Sequence, residues 1–371
     1  MATLLCPLLG AEETPELRFG PFILKPVLRV DETFESNITH THADTMSDFI
    51  TTSEAGLQIR LQPETHRFAL DLLRRNINYA KHGEYTGDEQ AVKFSGDLRF
   101  PVAQLTFDVA KLKLFEPTGT VITDKVQRTF EPMNVELVVP TGRFKLDVGV
   151  HYERLRYDLP AYQRLDYDET RTFERLIYDI STENSVYLQA WQGRVIRTEG
   201  LLNDNHYSDF SIGLRTSLTD KLTQDIRVGI LTVDYEDTSP YKQLDSHVSE
   251  VSYRWELKWK PTDVTTWRLF VEGAPDFSET DEFLFRRTVA VAVSHTFTTR
   301  LKGEFGLTVT NNNIVGRAET YHINPSVGVT YAIGSHMDVY WRYNLVFKRG
   351  GESSADTYND EIASLGFVLH F

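Results

Sequence analysis

Apolar residues recur at every second position along most of the chain, and a helical period is nearly absent. The run "FILKPVLRVDETF" sets Phe22, Leu24, Pro26, Leu28, Val30 and Phe34 in one phase, interrupted by Glu32. Lys25, Arg29, Asp31 and Thr33 fill the other phase, with Val27 among them. The next run sets Phe49, Ala55, Leu57, Ile59 and Leu61 against Glu54, Gln58, Arg60 and Gln62. Val92, Phe94, Leu98 and Phe100 oppose Lys93, Asp97 and Arg99, and Phe144, Leu146, Val148, Val150 and Tyr152 oppose Lys145, Asp147, His151 and Glu153. In "VSYRWELKWK", Val251, Tyr253, Trp255, Leu257 and Trp259 alternate with Ser252, Arg254, Glu256 and Lys258. These runs predict strands of about 9–13 residues, enough to cross a bilayer at a barrel's tilt and longer than the ~5–6 of an average soluble strand.

Short turns centred on Glu64, Pro101, Thr141, Glu183, Asp220, Thr262, Thr299 and Ser335 punctuate the runs, and each interval between them holds two strands and one longer polar connection. Eight short turns and nine longer loops join eighteen strands. The layout predicts an all-β, antiparallel up-and-down transmembrane barrel of about 18 strands, short turns and both termini on the periplasmic side. A β-propeller also repeats at about 40 residues, but its blades need three turns per repeat where this chain has one turn and one loop. The chain ends on "ASLGFVLHF", apolar at every second position through Phe367, Leu369 and Phe371. Such a strand is an aggregation hazard at a free edge, so it is expected to close the cylinder against the first strand.

Composition narrows this without changing it. Of 371 residues 41% are hydrophobic, and no stretch approaches the ~18–20 apolar residues of a membrane-spanning helix. A barrel escapes that test because only alternate residues face lipid. An aromatic share of 12%, with 17 Tyr and 22 Phe, suits strands and interfacial girdles. The net charge of -14 argues against a nucleic-acid partner, which needs a basic face. The single cysteine, Cys6, excludes an internal disulfide framework. Residues 1–11, "MATLLCPLLGA", read as the remnant of a secretory signal peptide, although no Lys or Arg precedes the apolar run. Lipidation of Cys6 is disfavoured by the bulky Leu5 before it. Residues 12–21 read as a short periplasmic segment and 22–371 as a single barrel without internal domain boundary.

If the polar phase faces inward, the lumen carries Arg29, Asp31, Glu54, Arg60, Lys93, Asp97, Arg99, Lys145, Asp147, Arg254, Glu256, Lys258, Lys302, Glu304, Asp338 and Arg342. A filter for one ion sign would show a ring of one charge. Interleaved signs with aromatic residues such as Phe270 and Tyr340 suit a wide hydrated path, or merely solvate a barrel interior. The loops are too short to hold an obvious constriction. Either several pack inward together or a partner closes the periplasmic mouth, and the partner is favoured. Apolar residues change phase at Leu72/Leu73, at Ala110 to Leu112 and at Ile230/Leu231, as bulges would cause, or as the pattern would relax above the membrane; the second is favoured.

Enzymatic chemistry has little to stand on. "HTHAD" offers His40, His42 and Asp44 as metal ligands, but in an outer loop it reads as solvated polar sequence. "YDETRTFER", with Asp168 and Glu169 among arginines, reads as a surface charge cluster. No Gly-rich phosphate loop is present. No catalytic residue, cofactor or metal site is expected.

The segments "PFILKPVLRVDETFESNI", "SDFITTSEAGLQIRLQP", "HRFALDLLRRNINYAKHGEYTGDE" and "SLGFVLHF" resemble the putative beta-barrel porin 2 family of bacterial outer-membrane proteins, over Arg18 to Phe371. The resemblance implies outer-membrane lipid as surroundings, with Phe367, Leu369 and Phe371 as the signal read by the barrel insertion machinery. It also implies a conduit for exopolysaccharide or capsular polysaccharide, working with a periplasmic polysaccharide-export protein or a copolymerase. It brings no catalytic residues. A general or sugar-selective diffusion porin is the alternative expectation, and a structural or adhesive barrel the third.

Overall fold

The computed structural model describes residues 16–63, 65–117, 125–198, 203–236, 247–277, 283–314, 318–351 and 357–371. The segment expected to be a signal-peptide remnant, residues 1–11, lies outside them. A three-residue strand, β1 (Leu17–Phe19), precedes β2 (Phe22–Glu35), β3 (Asp48–Leu61), β4 (His66–Tyr79), β5 (Gly87–Arg99) and β6 (Gln104–Pro117). There follow β7 (Lys125–Thr141), β8 (Phe144–Tyr157), β9 (Tyr167–Asp179), β10 (Asn184–Arg197), β11 (Asn205–Thr219) and β12 (Leu222–Tyr235). The rest are β13 (His247–Thr262), β14 (Thr265–Phe277), β15 (Phe283–Thr296), β16 (Leu301–Ile314), β17 (Thr320–Ile333), β18 (Met337–Gly350) and β19 (Tyr358–His370).

From β2 to β19 each strand pairs antiparallel with its sequence neighbours, and β19 returns to β2 from Ile362↔Glu35 to His370↔Val27. The ring is a closed barrel of eighteen strands, with β1 in addition. Closure leaves no unpaired edge, which is what lets strands cross a bilayer. Short turns lie at one end and longer connections at the other, as the sequence spacing predicts.

Residues directly opposite in an antiparallel pair share a face. One face bears Leu28, Phe94, Leu188, Phe210, Ile230, Val251, Phe305 and Leu365, all exposed. Aromatic pairs border it: Phe144 with Tyr178 (centroids 4.9 Å) and Trp259 with Trp267 (6.3 Å) near the short turns, Phe34 with Phe49 (5.3 Å) near the long loops. This is the lipid-facing band with its girdles. The other face is the interior. Glu35, in phase with Arg29 and Asp31, lies 3.6 Å from Lys125 of β7, a strand reached only across the bore.

The phase changes have another cause than either one anticipated. Pairing runs without a register shift through Leu72 and Leu73, Ala110 and Leu112, and Ile230 and Leu231. Leu72 and Ile230 stay on the outer face, whereas Ala110 and Leu231 are buried inside. Interior positions toward the long loops are apolar because they pack against one another. Val195, Tyr207, Leu231 and Val233 cluster with Phe285, and Val126, Leu155 and Tyr157 with Leu165. Ile38 of the β2–β3 connection packs with Ile50 and Tyr79. Loop residues thus pack inward at that end, an arrangement the short loop lengths did not favour.

Asp48 anchors this end. Its carboxylate is fully buried and accepts the backbone N–H groups of Phe49 (2.7 Å), Lys81 (3.0 Å) and His82 (2.8 Å), tying two connections together. Hydrogen bonds to a charged group are strong and costly to orphan, so Asp48→Ala is expected to lose about 2–4 kcal/mol of stability. Urea unfolding of the micellar barrel measures it.

Candidate functional site

Register places every predicted lumen residue on the interior face. Arg29 lies opposite Glu54, Glu54 opposite Arg75 and Arg75 opposite Glu89. Farther round, Asp225 lies opposite Glu256, Lys302 opposite Thr330, and Thr330 opposite Tyr340. Many of these charges are paired with a residue two positions along the same strand. Arg29 meets Asp31 at 3.2 Å, Arg99 meets Asp97 at 2.9 Å, Arg254 meets Glu256 at 3.0 Å and Lys302 meets Glu304 at 2.8 Å. Others pair across strands: Glu54 with Arg75 (2.7 Å), Lys145 with Asp179 (2.8 Å), Asp147 with Arg175 (3.2 Å) and Asp338 with His370 (3.1 Å). Arg342 lies over the Tyr340 ring. Arg60, Lys93 and Lys258 make no ion pair with any described residue. Alternation locates each charge but not its cross-strand partner, so Arg75, Glu89, Arg175 and His370 are absent from the sequence prediction.

The wall from β8 to β13 differs from the rest. Near the short turns it opens a cavity of about 490 Å³ lined by Lys145, Asp179, Arg215, Asp225, Glu256 and Lys258. Above this cavity, Arg171 Nε, Trp191 Nε1, Gln189 Nε2 and Arg227 Nε are buried nitrogen donors with no hydrogen-bond partner. Arg171 stacks over Trp191 at 4.8 Å, and Arg227 lies opposite Arg254 across the β12–β13 pair. Neither Arg171 nor Arg227 forms an ion pair among the described residues. Acceptors sit beside them, because Asp147 Oδ1, Asp209 Oδ1 and Ser211 Oγ are equally unpartnered. A buried polar group without a partner is costly, so a patch of them marks a place for a polar ligand or water.

Two tyrosines keep this wall flat. Tyr207 of β11 lies over Gly193 of β10, and Tyr187 of β10 lies over Gly213 of β11, each the directly opposed residue. A Cβ at either glycine would overlap the ring. Tyr187 donates to Asp225 (2.6 Å) and Tyr207 to Glu169. Glu169 is therefore an interior residue, buried beside Tyr207, and not part of a surface cluster. Its sequence neighbour Asp168 takes the outer phase and pairs with Arg154 and Arg156.

The "HTHAD" residues also separate. His42 meets Thr357 (3.1 Å) and Asp44 is exposed, whereas His40 turns inward to Glu35 and Asp360. Phe367 and Leu369 take the outer phase of the last strand, and Phe371, just beyond it, donates its N–H to the Pro26 carbonyl (3.4 Å).

The family described as putative beta-barrel porin 2 matches residues 16–371. The chain belongs to that family. As a member it is a bacterial outer-membrane barrel. No curated protein matches it in sequence. Among solved structures, the porin fold recurs in Pseudomonas aeruginosa OpdK with vanillate, at 10% identity and TM-score 0.52, covering 94% of this chain and 99% of that one. Pseudomonas aeruginosa OccK2 (OpdF) in complex with glucuronate matches at 10% and 0.52, covering 94% and 98%. A BenF-like porin from Pseudomonas fluorescens Pf-5 matches at 11% and 0.54, covering 95% and 100%. At such identities the likeness is one of fold. Polysaccharide export, the leading expectation from the sequence, gains no support from these comparisons, and the diffusion-porin alternative fits them better.

Proposed function

We propose that this porin-family barrel is a diffusion channel selective for small polar solutes bearing a carboxylate, with the interior charges lining the solute path. It is read as a channel and not an enzyme, with the short turns and both described chain ends toward the periplasm. Phe367, Leu369 and Phe371 would then face lipid and serve the insertion machinery. The observation that carries the solute class is the row of unpartnered donors on β9, β10 and β12: Arg171, Trp191, Gln189 and Arg227. Arg171 and Arg227 are only half-buried and form no ion pair with any described residue, and such a guanidinium is the natural partner of a carboxylate. The adjoining Asp209 and Ser211 oxygens suit the hydroxyls of a sugar acid or hydroxy acid. Vanillate and glucuronate, named with two of the similar porins, are both carboxylates. The apolar packing at the long-loop end works against the alternative, a wide conduit for a polymer held open or shut by an export partner.

Single-channel recording of the refolded protein in a planar bilayer tests this. The expected result is a modest open conductance, interrupted by millimolar glucuronate and untouched by glucose at the same concentration. A large conductance indifferent to both sugars but blocked by an acidic polysaccharide would restore the conduit.

A further inference from the structure

Where the first and last barrel strands meet, at the long-loop end, three side chains converge from positions far apart in the chain. Glu35 ends β2, His40 lies in the β2–β3 connection and Asp360 belongs to β19. His40 Nε2 is 3.2 Å from Glu35 Oε1 and 3.7 Å from Asp360 Oδ2, and the three donor atoms all lie within 4.8 Å of one another. Asp360 is fully buried. Its Oδ1 accepts from Ser36 Oγ (3.0 Å) and the Asn37 N–H (2.9 Å), while Oδ2 has no hydrogen-bond partner and faces the other two donors. Glu35 is divided in the same way: Oε2 faces Lys125 and Oε1 faces His40.

We propose that Glu35, His40 and Asp360 form a binding site for a divalent cation of the zinc class. One imidazole nitrogen and two carboxylate oxygens are a donor set for such an ion, and a tetrahedral shell with bonds of ~2.1 Å sets donors about 3.4 Å apart. The separations of 3.2 and 3.7 Å fit that shell. Calcium, which takes about 6–8 oxygens, does not suit an imidazole with two carboxylates. The site is held in place by its surroundings. The Asn37 side chain donates to the carbonyls of Thr41 (2.9 Å) and Asn359 (3.1 Å), clasping the connection to β19, and the His40 ring stacks on Tyr358 at 5.2 Å. An ion there would pin the β2–β3 connection across the seam of the barrel, beside the Lys125 amine that reaches over from β7. Asp360 is separated from His40 by nearly the whole barrel, which is why "HTHAD" alone points to the wrong partners.

The test uses untagged, chelator-treated, refolded full-length chain, titrated with Zn2+ in a calorimeter and assayed for retained metal after desalting, with Ca2+ as control. One Zn2+ per chain is expected, with no Ca2+. His40→Ala and Asp360→Asn should each lose that uptake while still migrating as folded barrels, and chelator should lower the thermal unfolding midpoint of the unaltered protein alone. Failure of the unaltered protein to take up Zn2+, or equal uptake by both variants, would overturn the proposal.

Discussion

In the double variant Arg171→Ala/Arg227→Ala, block of the channel by glucuronate is expected to weaken by about 100-fold or more, with open conductance kept. Each lost charge-assisted hydrogen bond to a carboxylate is worth ~1.5–3 kcal/mol, and ~1.4 kcal/mol is tenfold in affinity. Both arginines lie on the interior face without an ion-pair partner among the described residues, so their removal breaks no salt bridge among them. Arg175 is a contrasting control, because it holds Asp147 at 3.2 Å and Gln189 at 2.9 Å. Its loss should disturb the wall itself and reduce conductance as well as affinity. Concentration-dependent block in single-channel records separates the cases. Equal block in the double variant and the unaltered barrel would place the solute site elsewhere.

The second large effect concerns the two opposed glycine–tyrosine pairs. Valine at Gly193 or Gly213 puts methyl groups where a tyrosine ring lies, so the ring must leave the wall and enter the bore. Conductance is expected to fall, and stability with it by about 1–3 kcal/mol, as for other overpacked sites. The Tyr187–Asp225 bond would break in Gly213→Val. Adding Tyr187→Ala to Gly213→Val should restore most of the conductance, since the obstruction is the displaced ring. If the single valine variant conducts normally, the rings do not control the width of the path.

Much of the architecture was legible because it is local. Alternation depends on neighbours two apart, and the short turns are written in runs such as "PTGR" and "GSH", so eighteen strands and the side of each loop could be counted directly. Charge pairs such as Arg254–Glu256 were visible for the same reason. What could not be read was how the interior phase meets itself. Leu231 looks like a slip in an alternating strand until Val195, Tyr207 and Phe285 are seen around it, from three other strands. Glu169 looks like surface charge until its phase is fixed by the pair Glu153↔Glu169. An interior judged wide from mixed charge and short loops agreed with the polymer path that the family resemblance implied, and gave no sign of the apolar clusters that pack inside near the long loops.

The three-residue strand β1 has a consequence for how the barrel finds its stagger. One edge of β2 is occupied by β3 from Phe22 onward, so the pairs Leu17↔Leu24 and Phe19↔Phe22 must use the other edge, the one that β19 also uses from Val27 to Glu35. Gly20, with φ of +61°, lets the chain double back within a few residues, as tightly as the β7–β8, β11–β12 and β13–β14 turns. The last strand therefore shares this edge with β1. It can slide toward the short turns only until its end reaches the ground β1 holds. The hairpin thus stands where a slipped register of the final joint would have to pair.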